Sequence, residues 1–436
     1  MTTEISALQR VRIVSETTFN LDQSATPAAF LDLPVIEKSA IFTGVQDHLE
    51  PELTQQHVHA YDNSKMLMGK RSSTLALSTY LASTGAPRTG ITTQAWPSVT
   101  ADWGLGAMLY ALMGGMSQGT LQAAATLTTA GSTTSLVNIT AGHGTTLGAK
   151  ARAYAVVLPN GTVEAREILS TAANTLTPKM AHSVAPGTGA AVYWATSFHL
   201  INGIGSYLAS LQAIVDGAES GDIYVPCGMQ GSFGIDIGVG AVAKITTQLQ
   251  GAAWARVASH TLAAASFTNF NPLINMGSEL CIGSGVEGGA AAGTSLVAGS
   301  VQRRTKIVNA QSTWQPGTQV IPVISPDGLG NSNIVGYKRA RGRAVTGSFQ
   351  VYDDTSIVWQ DADTNRRDLA VYQQIGMTTA GCVLLSAPTV QISAVPQRAD
   401  ANGLYAQTVN WSGRNDAAIA TPSGDLETSA LRIHIF

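Results

Sequence analysis

Between Gly231 and Gln250 the chain alternates apolar and polar or small residues, and no other feature restricts its fold as tightly. Phe233, Ile235, Ile237 and Val239 alternate with Gly234, Asp236, Gly238 and Gly240; the phase continues through Ala241, Ala243, Ile245 and Leu249, opposite Lys244, Thr246, Gln248 and Gln250. A period of two places successive side chains on opposite sides of a pleated strand, whereas a helix needs a period of 3.6. One apolar and one polar face predict a half-buried antiparallel hairpin or long strand. Further strands are expected from Ser72, with Leu75 and Leu77 on one face, at 319–324, and at 343–352, with Val345, Phe349 and Val351 facing one way. Others follow at 388–395, at 403–412, where Tyr405, Val409 and Trp411 share a face, and at 430–436.

Two segments read as helices. After Asp102, a suitable N-cap, Leu105, Met108, Leu109, Leu112 and Met113 form one apolar stripe that Gly114-Gly115 stops. Asp363 to Ile375 is charged and then apolar at Leu369, Tyr372 and Ile375, which predicts a second, short helix. The order strands, helix, strands thus occurs twice, with no repeat of residues to support a duplication. Residues 1–40, broken by Pro27 and Pro34, form an arm, 41–119 begin a first strand-and-helix domain, and 201–436 complete it and add a second. Between them, 120–200 are Thr- and Ala-rich with turn signals at 141–144, 159–161 and 186–187, and are expected to be an all-β insertion. The Gly/Ala/Ser-rich stretch 283–300 reads as a loop.

Charged residues make up only 12% of the chain, about half the usual share of roughly 25%. Either partners cover much of the surface, or this is a large, turn-rich β protein with a neutral exterior. A formal charge of −3 argues against general affinity for nucleic acid. Cys227, Cys281 and Cys382 are too few and too far apart for a disulfide framework or a zinc site, which fits synthesis in a reducing compartment. Residues 1–14 have no apolar signal region, and Leu105 to Met113 falls short of the roughly 20 residues a membrane span needs, so a soluble, cytoplasmically made chain is expected.

Candidate catalytic and binding motifs fail on context. Gly115-Met-Ser117-Gln-Gly119 matches the G-x-S-x-G elbow, yet that motif needs a strand before the serine and a helix after it. Here a helix precedes and a Thr-rich coil is expected to follow, so the serine reads as a polar exit from a helix cap. Gly283-Ser-Gly285-Val-Glu-Gly288 matches a dinucleotide fingerprint, but no helix opens there and no acid lies between Glu287 and Asp327 to hold a ribose. His57, His59 and Asp62 are either a weak metal set or exposed polar residues of a long loop. The basic run Lys338-Arg-Ala-Arg341-Gly-Arg343 meets either phosphates or acids of a neighbouring subunit. The sequons at Asn138, Asn160 and Asn410 carry no meaning without a secretory signal. The chain therefore reads as a self-assembling β-rich structural protein, neither an enzyme nor a holder of cofactor or metal.

Three blocks taken together resemble the major tail tube proteins of long-tailed bacteriophages. They are Trp103-Gly-Leu-Gly-Ala-Met-Leu-Tyr-Ala-Leu-Met-Gly-Gly, Val225-Pro-Cys-Gly-Met-Gln-Gly-Ser-Phe-Gly-Ile-Asp-Ile leading to Gly251-Ala-Ala-Trp254, and a C-terminal set. That set comprises Gly347-Ser-Phe-Gln-Val, Ala387-Pro-Thr-Val-Gln-Ile, Asn402-Gly-Leu and the closing Ile-His-Ile-Phe; the early Glu16-Thr-Thr-Phe is also similar. The resemblance implies an antiparallel β-sandwich or barrel with one short helix per tube domain, in which the sheets of neighbouring subunits join into a closed barrel with the helix packed outside it. It further implies rings stacked in a virion tail around a tape-measure protein, meeting tail-tip or baseplate and tail-terminator proteins, and DNA in transit through the lumen. The chain would be made in the cytoplasm of a bacterial host. An extended loop between early strands would touch the adjacent ring; the matching segment is 46–70, with Glu50, Glu52, His57 and His59. The insertion would face outward. The loose doubling favours a trimeric ring with pseudo-six-fold symmetry over a hexameric one. The alternative is another β-rich virion component, a capsid decoration or receptor-binding protein.

Overall fold

The computed structural model describes residues 10–16, 19, 30–37, 39–49, 67–83, 104–117, 125–146, 148–201, 208–216, 223–238, 240–257, 271–274, 279–284, 302–304, 312–317, 320–326, 332–339, 344–352, 368–378, 381–394, 397–401, 404–414 and 424–436. The protein is mainly β, in antiparallel sheets.

The chain opens with β1 (Val11–Ser15), β2 (Leu31–Leu33), β3 (Ile41–Leu49), β4 (Leu67–Tyr80) and the short β5 (Ala82–Ser83). Helix α1 (Gly104–Met113) runs directly into β6 (Gly114–Ser117). The insertion holds β7 (Val137–Asn138), the single turn α2 (His143–Thr146), β8 (Ala153–Val157), β9 (Val163–Ala172), β10 (Thr175–Pro178) and β11 (Val192–Trp194). Then come β12 (Thr196–Leu200), β13 (Leu211–Asp216), β14 (Ile223–Ile237), β15 (Lys244–Val257) and β16 (Asn271–Pro272). The remainder supplies β17 (Glu279–Ser284), β18 (Gln302–Arg304), β19 (Ser312–Gly317), β20 (Val320–Pro326), β21 (Ser332–Arg339) and β22 (Ala344–Tyr352). It ends with β23 (Leu369–Thr378), β24 (Gly381–Ile392), β25 (Gln397–Ala401), β26 (Leu404–Arg414), the single turn α3 (Asp425–Thr428) and β27 (Arg432–Ile435).

The pairings contain an internal repeat. In the first unit β1 lies between β2 and β13, β13 pairs β14, β14 pairs β15, β15 pairs β4, and β4 pairs β3. In the second unit β17 lies between β18 and β23, β23 pairs β24, β24 pairs β26, β26 pairs β22, and β22 pairs β19. Every pairing is antiparallel, and corresponding strands follow one another in the same chain order. β25 also pairs with β26, at the end of its hairpin beside residues 402–403. The units join where the last residues of β14 pair with β19: Ile235 with Trp314, Asp236 with Thr313 and Ile237 with Ser312. A second contact comes from β21, whose Tyr337 hydroxyl donates to the Gln250 carbonyl of β15 at 3.2 Å.

The hairpin β14–β15 forms as its alternation predicts. Phe233, Ile235, Ile237, Ile245 and Leu249 are buried in a core that runs through both units, while Lys244, Thr246, Gln248 and Gln250 are exposed. Gly228, at φ 60°, has no partner in the register between Cys227 and Met229, and Gly251 pairs Met229 directly. Its amide donates to Glu16 Oε1 at 2.6 Å, Ser210 donates to Glu16 Oε2, and the Phe19 ring lies where a Gly228 Cβ would touch it at 3.0 Å. The sequence block Glu16-Thr-Thr-Phe thus anchors the chain beyond β1 to this break in β14.

One expectation needs correction. The second helix, over Asp363–Ile375, is not formed where residues are described, because Leu369–Thr378 is strand β23. Leu369, Val371 and Ile375 enter the main core, whereas Ala370 and Tyr372 face a second apolar cluster shared with the insertion. A strand buried on both faces loses its alternation, and the spacing of Leu369, Tyr372 and Ile375 mixes residues from the two faces. Asp363 to Arg367 lie outside the described residues.

Helix α1 is enclosed within the chain. All its residues except Tyr110 are buried, and it packs on β1, β2, β6, β12 and β14. A helix apolar on every side belongs inside. Tyr405 lies on the same side of β26 as Val409 and Trp411, as expected, but near the hairpin tip and opposite Asp400 it is 68% exposed while the other two are buried.

Candidate functional site

Among the residues singled out in the sequence, Glu50, Glu52, His57 and His59 lie outside the described residues, as does Asp62. The strands flanking them, β3 and β4, form an antiparallel hairpin, so the segment 50–66 connects its arms. In the second unit the corresponding connection, between β19 and β22, carries the hairpin β20–β21. Of the basic run, Lys338 lies in β21, and residues 340–343 are outside the described set. Of the glycine motif, only Gly283 and Ser284 are described, and they end β17.

Ser117 ends strand β6 rather than leaving a helix into coil. Gly114, at φ 88°, turns the chain out of α1, and the strand that follows pairs with β12. The Ser117 hydroxyl accepts a hydrogen bond from Arg152 Nε at 2.9 Å, which ties β6 to the insertion. Among the described residues no cluster of three or more His, Cys, Asp and Glu side chains could hold a metal ion. Cys227, Cys281 and Cys382 are free and buried.

The largest concentration of ionisable groups is a feature the sequence reading missed. Strand β9 brings Glu164, Arg166 and Glu167 to the seam between the insertion and the second unit. Arg166 bridges Glu164 at 2.8 Å and Glu279 of β17 at 3.1 Å. Glu167 meets Lys179 at 3.3 Å and Arg432 of β27 at 3.1 Å. The Arg432 guanidinium also donates to the carbonyls of Leu426 and Glu427, both at 2.7 Å, securing the turn α3. With Glu164, Glu167 and Glu279 facing Arg166, Lys179 and Arg432, the formal charges cancel.

Two histidines complete this network as neutral rings, because burial lowers the pKa of each against the pull of its carboxylate. In the neutral form His182 donates from Nδ1 to Glu164 at 3.2 Å and accepts from the Tyr154 hydroxyl at 2.8 Å. His434 donates from Nε2 to Glu167 at 2.8 Å and accepts from the Ser197 hydroxyl at 2.8 Å. Burial opposes ionisation of Glu164, but the His182 hydrogen bond, the Arg166 charge and two bonds from Ser183 hold its pKa down to about 2. Glu167 is held still lower, as Arg432, Lys179 and His434 outweigh its burial. Close by, the Gln374 side chain of β23 donates to the Val163 carbonyl and accepts from the Ala165 amide, both at 2.8 Å. These contacts clamp the insertion to the second unit.

A second candidate surface lies at the sheet edges. Among the described residues β3 pairs only with β4, and β25 only with β26. On β3, Ile41 is 61% exposed and Val45 46% exposed. Phe42, on the opposite face, stacks on Tyr224, and Trp254 crosses over to donate to the Val45 carbonyl at 3.2 Å. An edge strand with outward apolar residues is a template for another strand.

The sequence matches no protein-family model and no curated protein. No helix among the described residues is long and apolar enough to cross a membrane.

Proposed function

We propose that the chain is a structural subunit that assembles with copies of itself into rings, and that stacked rings form the tail tube of a long-tailed bacteriophage. The observation that carries this reading is the joint between β14 and β19, where two units of the same strand order continue one sheet. Units that join side by side in this way build a closed wall when the edges left at each end also join. The low charge of the chain suits large permanent interfaces. Two tube domains in one chain favour three copies around a pseudo-six-fold ring, with a lumen for the tape-measure protein and later for DNA. The doubled helix that first suggested this is replaced as support by the doubled strand order. Tail-tip or baseplate and tail-terminator proteins would close the two ends of the stack.

Negative-stain microscopy of the purified protein at high concentration tests this reading. Hollow rings or stacked tubes are the expected result. A monodisperse monomer would overturn it, and averages with six copies of the chain per ring would overturn the trimer.

A further inference from the structure

The insertion is attached to the rest of the chain in a way that lets it move as one body. Its own apolar core, which includes Ile139, Tyr154, Val156, Ile168 and Trp194, is drawn wholly from residues within 137–194. Among the described residues its sheet shares no strand pairing with the main sheet. Ala195 alone separates β11, in the insertion, from β12 in the main sheet. The other connection begins after Ser117, which lies directly opposite Ser197 of β12, so the two points of attachment stand side by side.

Elsewhere the insertion is held by the seam, whose apolar part is slight on the insertion's side. Ala153, Ala155, Val163 and Ala165 are small, and burial stabilises in proportion to area. Charge and hydrogen bonds supply the rest. Arg166 reaches across to Glu279, and Glu167 to Arg432 and His434, with the Gln374 amide beside them.

Acid removes these ties and puts repulsion in their place. The carboxylates at the seam are Glu164 and Glu167 of β9, Glu279 of β17, and Asp425 and Glu427 of α3. Once they are protonated, the charges left are positive on both sides. Arg166, Lys179 and His182 on the insertion then face Arg432, His434 and His199 on the main sheet. His199 of β12 belongs to this set because burial and the Arg432 charge bring its pKa down to about 4, against the pull of Asp425. Tyr154 and Cys382 stay neutral, since burial raises both. Glu164, Glu167 and the three histidines all have folded pKa values below their ordinary ones. What they contribute is therefore lost as pH falls, from 6.5 for the histidines and from 4.5 for the carboxylates.

We infer that the insertion is a hinged flap, latched on β17, β23 and β27 by paired charge, which acid opens as one folded body about Ala195. This inference stands apart from the ring reading. Opening uncovers the face that carries Cys281, Tyr372, Cys382 and Leu384.

The native cysteines test it without any substitution. Cys281 and Cys382 lie in the apolar cluster shared with the insertion, whereas Cys227 is buried in a separate cluster of the first unit. Dithiodipyridine, which labels thiols even in acid, is added to the wild-type chain from pH 7.5 to pH 2.5, and the labelled sites are read by peptide mass. None of the cysteines should react at pH 7.5. Towards pH 3, Cys281 and Cys382 should react while Cys227 stays protected, and a return to pH 7.5 should restore protection. Amide exchange across 137–194 should remain well below that of the urea-unfolded chain. At pH 7.5, Glu167→Gln should raise the labelling rate of Cys281 and Cys382 by roughly ten- to a hundred-fold and leave Cys227 unchanged. If that variant does not fold, the wild-type series decides alone. Cys281 and Cys382 protected throughout, all cysteines labelled together, exchange across 137–194 at the unfolded rate, or an unchanged rate in a folded Glu167→Gln each overturns the flap.

Discussion

The two units share a strand order but differ in what covers them, and that difference separates plain surface from a seam of paired charge. In the first unit the turn half of the hairpin β14–β15, from Ser232 to Gln250, has one face in the core and one face in water. In the second, β23 and β24 are buried on both faces, because the insertion lies against them through Ala153, Ala155, Val163 and Ala165. The first unit therefore keeps its polar side as plain surface, whereas the second has replaced it with a seam full of paired charge. A seam of that kind is costly to break from one side, since a carboxylate left alone in the interior has lost both water and partner.

Breaking the seam should have the largest effect. Arg432→Met leaves Glu167 buried with less compensation and frees the carbonyls of Leu426 and Glu427. A destabilisation of roughly 3–5 kcal/mol is expected, measured by urea unfolding, with the loss of protection first in the insertion and β27 by hydrogen exchange. The first unit should follow only when the whole fold gives way.

Acid should act on the same seam. Glu164 has a folded pKa of about 2, below its ordinary value of 4.5, so its stabilisation is fully present above pH 4.5 and is lost as pH falls towards 2. Thermal melts between pH 8 and pH 2.5 should show a decline on the order of a few kcal/mol that steepens below pH 4.5, and Glu164 accounts for part of that steeper limb. The two histidines add to the decline from higher pH: burial lowers both pKa values, so below pH 6.5 the unfolded chain takes up protons that the fold resists. Glu164→Gln should flatten the decline. An unchanged slope would assign it to other carboxylates.

The smallest effects sharpen the contrast face by face. Gln374→Leu strands the Val163 carbonyl and the Ala165 amide, at a cost of about 1–3 kcal/mol. Lys244→Ala, on the watered face of the first unit, should change stability by less than about 0.5 kcal/mol. Chemical denaturation of the two variants side by side checks the pair; equal costs would mean that the faces are not as different as their burial.

How much of this was legible in the sequence depends on the same contrast. The hairpin β14–β15 was readable because water on one side enforces alternation, and α1 because five large apolar residues recur at helical spacing. β23 was misread because nothing polar marks a strand covered twice. The repeat was invisible for a related reason: it resides in pairing partners, which strands of unlike sequence can reproduce. The charged seam joins residues as distant as Glu167 and Arg432, and no local spacing reports that. A weak signal was present, since Glu164 and Arg166 alternate with apolar neighbours in a chain otherwise sparing with charge, and Arg432 and His434 alternate with Ile433 and Ile435. Of the residues expected at the inter-ring loop, none falls among those described.

The Gln374 amide has a further consequence. A primary amide offers the same N–H and C=O pair as a peptide unit, and here it meets β9 at Val163 and Ala165 as a neighbouring strand would. A single side chain thus stands in for a strand along the part of β9 that β10, which pairs only from Ile168 onward, leaves uncovered. That stretch offers no open ladder to another chain.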